Sequence, residues 1–108
     1  MKPDIFTYLD YRRFLGDYFR ALKGDSPKLS FRGFAKSAGF TSPNFLQQVI
    51  KCERNLGSAN LVAVARAFKL GKLETEFFQI LVSYAQARTN DEKDLFYQKI
   101  LRNKRYAT

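Results

Sequence analysis

Apolar residues recur at steps of three and four along almost the whole chain, and this spacing commits it to amphipathic helices. Tyr8, Tyr11, Leu15, Tyr18 and Leu22, with Phe14 and Phe19 widening the stripe, predict a helix from about Thr7 to Lys23. Gly24 is its expected stop, and Asp25-Ser26-Pro27 its following loop. Ser30 is a good N-cap for a second helix, Phe31 to Ala38, with Phe31, Phe34, Ala35 and Ala38 on one face and Gly39 at its end. Ser42 is the expected cap of a third, about Pro43 to Lys51, because proline's missing N–H costs nothing at the first helical position. Cys52 to Gly57 is a polar turn. Ser58 is expected to cap a fourth helix that buries Leu61, Val64, Ala65 and Phe68 and breaks at Leu70-Gly71-Lys72. A fifth spans about Leu73 to Ala87, burying Phe77, Phe78, Leu81, Val82, Tyr84 and Ala85. A sixth, Asp91 to Arg102, uses Leu95, Phe96, the Lys99 stem and Ile100, and Asn103 to Thr108 read as frayed. With no strand pattern, repeat or low-complexity segment, the expectation is an all-α compact bundle of five to six helices.

The length, 108 residues, fits one domain with a core that needs no staples. A single cysteine, Cys52, excludes an internal disulfide framework, and with no histidine beside it a zinc site of ordinary ligands is excluded too. The missing histidine also removes the commonest general base and the Ser-His and Cys-His nucleophile pairs. No cofactor, metal or enzymatic activity is expected. No apolar run approaches ~18 residues and the N-terminus lacks a signal peptide's apolar segment, so no membrane partner and a cytoplasmic location are expected.

The formal net charge of +9 is unevenly distributed. Residues 28–72 hold Lys28, Arg32, Lys36, Lys51, Arg54, Arg66, Lys69 and Lys72 against Glu53 alone, a balance of +7, while residues 1–27 and 73–108 each balance at +1. A segment that is both basic and rich in core-formers suggests a folded surface facing a polyanion; the competing reading is a solvated basic face with no partner.

That block contains a helix-turn-helix pattern. Such a motif needs a small residue inside its first helix, glycine at the turn and an apolar residue early in the second. Ala35, Gly39 and Phe45 fill these roles, flanked by Phe34, Ala38 and Phe40. In the third helix Phe45, Leu46, Val49 and Ile50 form an apolar face. Asn44, Gln47, Gln48 and Lys51 lie opposite, with no carboxylate among them. An ordinary solvated face is one reading. The other is a recognition helix in a major groove, because Asn and Gln pair bidentately with adenine's N6 and N7. The N-terminal end of such a helix points into the groove, which makes Ser42, Asn44, Gln47 and Gln48 the base-contact candidates. Ser30, Arg32, Lys36, Lys51, Arg54 and Ser58 are the candidates for phosphate contacts, which fix register without reading sequence.

Four segments carry a more specific resemblance: Asp10-Tyr11-Arg12-Arg13-Phe14-Leu15, Ser30-Phe31-Arg32-Gly33-Phe34-Ala35, Ala38 through Leu46, and Arg54-Asn55-Leu56. They resemble a bacterial family that joins an N-terminal helix-turn-helix domain of the XRE/Cro-like kind to a larger C-terminal domain of unknown function. Glu76-Phe77-Phe78, Leu81-Val82 and Gln86-Ala87 are similar to that family's following helix. The resemblance spans nearly the whole chain and implies a lambda-repressor/Cro-like fold and a transcriptional regulator. It departs in two ways. Cys52 stands where the family has glycine, so either the third helix ends less sharply or Cys52 takes a left-handed conformation at a cost of about 1 kcal/mol. The C-terminal domain is absent, so the chain is expected to be a fragment or a short member.

The expected partner is double-stranded DNA, with a helix-turn-helix core over about residues 30–70. Residues 73–104 serve either to close the core or as the face of a homodimer on spaced half-sites. A protein-interaction adaptor that kept the fold without binding DNA is the alternative, since fold alone does not settle function; the charge concentration argues against it. An RNA-binding module fits less well, because the aromatics sit at helical core spacing and not on an open stacking platform.

Overall fold

Every element among the described residues is helical, and most of their ends are set by identifiable capping bonds. The computed structural model describes residues 2–106. A short 3-10 turn, Ile5–Thr7, is followed by α1 (Tyr11–Asp25), α2 (Phe31–Ala38), α3 (Phe45–Ile50), α4 (Ser58–Ala67), α5 (Lys72–Ala85) and α6 (Asn90–Arg102), with no strand among the described residues. The Asp4 carboxylate accepts the Phe6 N–H at 3.0 Å and the Asp10 carboxylate accepts the Arg12 N–H at 2.9 Å. These two caps separate the 3-10 turn from α1, which therefore starts at Tyr11 and not Thr7. Gly24 does not stop α1. The Ser26 N–H still reaches the Leu22 carbonyl, and the helix ends before Pro27, which pushes Ser26 out of the helical region.

The Ser30 cap is present: its hydroxyl accepts the Gly33 N–H at 3.0 Å. Two other expected caps are not. Ser42 offers only its backbone carbonyl, to the Phe45 N–H at 3.3 Å, so α3 begins at Phe45 after a turn and is shorter than the predicted Pro43–Lys51. Ser58 is the first residue inside α4, and Gly57 takes the cap position. At α5 the Glu74 carboxylate reaches back to the Gly71 N–H at 2.9 Å, and at α6 the Thr89 hydroxyl accepts the Glu92 N–H at 3.1 Å.

Three successive helices end in the same way. The residue after the C-cap turns left-handed, its N–H bonds the carbonyl three residues back, and the next N–H bonds the carbonyl five back, a Schellman arrangement. In α2 these bonds are Gly39 N to Lys36 O and Phe40 N to Ala35 O. In α3 they are Cys52 N to Val49 O and Glu53 N to Gln48 O. In α4 they are Lys69 N to Arg66 O and Leu70 N to Ala65 O. The left-handed residues have φ of 81° at Gly39, 63° at Cys52 and 56° at Lys69. Only the first is glycine, so the other two carry a steric cost.

One hydrophobic cluster runs from Ile5 to Ile100. Phe14 of α1 sits at its centre, its ring 6.2 Å from both Phe68 and Phe78 and 5.6 Å from Tyr18. Tyr18 stacks on Phe68 at 4.1 Å, and its hydroxyl donates to the Phe68 carbonyl at 2.6 Å. The expected inward faces hold except at Ala85, Leu95 and Lys99, which are exposed, and Tyr84, which is half-buried. Ala85 lies in the last turn of α5, and α6, which packs mainly on α5, buries Ile100 and sets the Tyr97 ring 5.7 Å from Tyr84, leaving Leu95 54% exposed. Residues 103–106 are not frayed: Tyr106 N–H bonds the Asn103 carbonyl and its ring lies 5.9 Å from Phe77. Ala107 and Thr108, also expected to fray, lie outside the described residues.

Two outcomes follow. Cys52→Gly relieves the left-handed strain and is expected to raise stability by about 0.5–1 kcal/mol in urea melts, while Cys52→Val lowers it. The second concerns pH. The Tyr8 hydroxyl donates to Asp17 at 2.6 Å. That bond, with help from Arg20, holds the Asp17 carboxyl below its ordinary range. The stability this contributes is present above about pH 4 and is lost as pH falls through the lowered value. Burial pushes both Tyr8 and Tyr11 up to about 12. Their contribution is whole below about pH 10 and is lost between about 10 and 12. Tyr8→Phe should weaken both the acid and the alkaline loss; unchanged limbs would show that the pair is not coupled to folding.

Candidate nucleic-acid interface

The second and third helices meet across residues 39–44. Ala35 is 1% exposed and Phe45 5% exposed, so the small residue and the early apolar residue are both at the contact. The Phe40 ring fills the angle, 6.3 Å from Phe34 and 4.8 Å from Phe45, and Phe34 in turn packs on Phe68 at 5.6 Å. Phe45, Leu46 and Val49 are buried and Ile50 is half-buried, so the predicted apolar face of α3 is the inward one. Asn44 and Lys51 are exposed, and Ser42, Gln47 and Gln48 are half-exposed.

The candidate residues do not all come together. Arg32 and Lys36, one turn apart on α2, line a cleft of about 380 Å³ with Phe40, Thr41 and Pro43, directly beside Ser42 and the start of α3. Arg54 returns to α3: its guanidinium lies 5.1 Å over the Phe45 ring and donates to the Gln48 side-chain oxygen at 3.3 Å. Gln48 thus keeps its amide donors and one lone pair of its oxygen free, whereas Gln47 makes no side-chain hydrogen bond among the described residues. Ser30 spends its hydroxyl on the helix cap. Ser58 lines a different cleft, between α4 and α5, with Leu61, Thr75 and Gln79.

The electrostatics are one-sided. The two ion pairs among the described residues, Lys2–Asp25 and Arg20–Asp17, both lie outside residues 28–72. None of the eight cations of the basic block has a carboxylate partner there. No group of three or more His, Cys, Asp or Glu side chains gathers among the described residues, and no helix is long and apolar enough to cross a membrane.

The residues that position α3, Arg12 and Gln86, stand in the segments that carry the resemblance, but their positioning role does not follow from the sequence. Arg12 of α1 is half-buried against the Tyr11 ring. Its guanidinium donates to the Val49 carbonyl at 2.5 Å, the Arg54 carbonyl at 2.8 Å and the Asn55 side-chain oxygen at 3.0 Å. Gln86, just past α5, grips the next residue along. Its amide accepts the Leu56 N–H at 2.7 Å and donates to the Leu56 carbonyl at 3.0 Å, and the same oxygen accepts the buried Tyr11 hydroxyl at 2.7 Å. Together these bonds fix the C-terminal end of α3 and the loop that leaves it. The one local signal was the placing of Arg12: a cation in the first turn of a helix opposes the macrodipole, so it needs another reason to be there.

Arg12→Met is expected to cost about 1–2 kcal/mol, because it orphans the partly buried Val49 carbonyl and leaves the exposed Arg54 carbonyl to water. It should also speed amide exchange from Lys51 to Asn55. Arg13→Met, one residue on and exposed, should change stability by less than about 0.5 kcal/mol. Equal effects of the two substitutions would remove Arg12 from its positioning role. Comparison with models of protein families, with curated proteins and with solved structures finds no match to this chain.

Proposed function

We propose that this chain is a sequence-specific double-stranded-DNA-binding domain of a bacterial transcriptional regulator, acting in the cytoplasm, with a helix-turn-helix of the XRE/Cro-like kind. α3 and the turn before it, residues 42–51, enter the major groove. Gln47 has both halves of its amide available and reads adenine bidentately. Gln48, its oxygen shared with Arg54, turns its free amide donors to an acceptor on the base edge. Ser42 and Asn44 sit at the end of the helix that faces the bases. Arg32, Lys36, Lys51 and Arg54 supply positive charge to the phosphates, and α2 contributes through the backbone N–H groups of its N-terminal end after Ser30, whereas Ser58, in the α4–α5 cleft, drops out of the contact set. It has no catalytic role in this reading.

The observation that carries the reading is the unneutralised charge around α3. Arg32, Lys36, Lys51 and Arg54 bracket that helix and meet no acidic side chain among the described residues. A set of cations left without internal partners is what a polyanion requires, because each neutralised phosphate releases a condensed counterion.

With four such cations the affinity for random duplex should fall with salt at a log–log slope of about −3 to −4, on the order of a hundredfold between 50 and 200 mM. Fluorescence anisotropy on labelled duplex measures this. Absent or salt-insensitive binding would contradict the proposal and favour the adaptor alternative. Gln47→Ala should cost about 1–3 kcal/mol on the preferred site and much less on random sequence.

A further inference from the structure

On the side of α2 formed by its C-terminal half, the fold leaves a half-open cleft of about 630 Å³ between the end of α1, α2 and α4. That volume lies within the ~300–1,000 Å³ of small-molecule sites. Its floor is apolar, made by Leu22, Leu29, Phe34, Ala38, Ala63 and Ala67. Alanines face it from both α2 and α4, so the space is not filled by the protein's own side chains. Its rim is cationic. Arg66 and Lys69 stand three residues apart at the end of α4, both exposed and neither paired with a carboxylate among the described residues. The one acidic side chain on the rim, Asp25, is already held by Lys2 at 2.8 Å. The ordinary role of two cations there is to face the C-terminal end of the α4 dipole. That role accounts for their charge but not for the apolar cavity beneath them.

We propose that this cleft is a binding site for a small amphipathic monocarboxylate, its alkyl or aryl body on the apolar floor and its carboxylate between Arg66 and Lys69. The charge of the rim selects the anion. The cleft's enclosure by three helices favours a small molecule over an extended chain. Because the floor includes Phe34, which also packs on Phe40 and Phe68, the occupant would rest directly on the α2–α3 unit.

Octanoate below its micellar concentration is the probe, with octanol and octylamine as the neutral and cationic counterparts. Titration calorimetry and amide chemical shifts on the full chain give the readouts, neither of which depends on DNA. Octanoate is expected to bind more tightly than octanol, and octylamine not at all, with shifts centred on Leu29, Ala38 and Ala67. The double variant Arg66→Gln/Lys69→Gly should weaken octanoate by about tenfold and leave octanol unchanged. Glycine suits the left-handed backbone at residue 69, so this variant keeps its fold. Ala67→Leu, which fills the floor, should abolish both. No octanoate binding, equal binding of acid and alcohol, or shifts elsewhere would overturn the proposal. So would shifts at the cleft produced by protein concentration alone, which would give it to a second copy of the chain.

Discussion

A helix of six residues has no stability of its own in water, and α3 keeps its place because one guanidinium holds its end. Arg12 reaches from the first turn of α1 to the Val49 and Arg54 carbonyls and to Asn55. Gln86 and Tyr11 close the same junction around Leu56. The apolar face of α3 supplies attraction to the core, but burial is non-directional. The hydrogen bonds supply direction: they fix where the helix stops and therefore which way its polar side looks. Breaking them would leave the core largely intact while loosening the one element on which the proposed reading of bases depends.

The aromatic core and the basic surface are built on the same short helices without competing. Phe34, Phe40 and Phe45 lock the α2–α3 angle from within, and Arg32, Lys36 and Lys51 project from the same segments outward. Arg54 belongs to both, lying over the Phe45 ring while it binds Gln48. The three left-handed turns at Gly39, Cys52 and Lys69 end α2, α3 and α4 sharply, which keeps the helices short and the connections tight. Two of them do so with side chains that pay a steric cost, so sharp termination is retained even where glycine is absent.

Much of the architecture was legible because its signals are local. The number of helices, the extent of α2, its Ser30 cap and the Gly39 turn all follow from residues within a few positions of one another. The possibility of a left-handed Cys52 was visible from its place in the resemblance. Boundaries failed where two neighbouring residues offered comparable local signals. Ser42-Pro43 is a good helix start in isolation, yet α3 begins three residues after Ser42. Ser58 lost the cap position to Gly57, beside the Leu56 backbone that Gln86 pins. Arg12 and Gln86 were missed for a stronger reason. Their partners are 37 and 30 residues away in sequence, and no periodicity or capping rule reports a side chain bonding the backbone of a distant loop. Likewise, the base-contact candidates were legible as residue types, but the bond by which Arg54 ties down Gln48 and not Gln47 was not.

The proposed DNA reading requires that α3 be held rigidly enough for its polar face to meet the bases. Selection of bound duplexes from a random pool, under salt high enough to remove non-specific complexes, tests it most directly. The expected result is a short enriched motif containing adenine at the position facing Gln47, with the motif degraded when Arg12 is replaced by methionine even at temperatures where that variant stays folded. Recovery of a pool with no enriched sequence, from protein that still binds duplex, would contradict it.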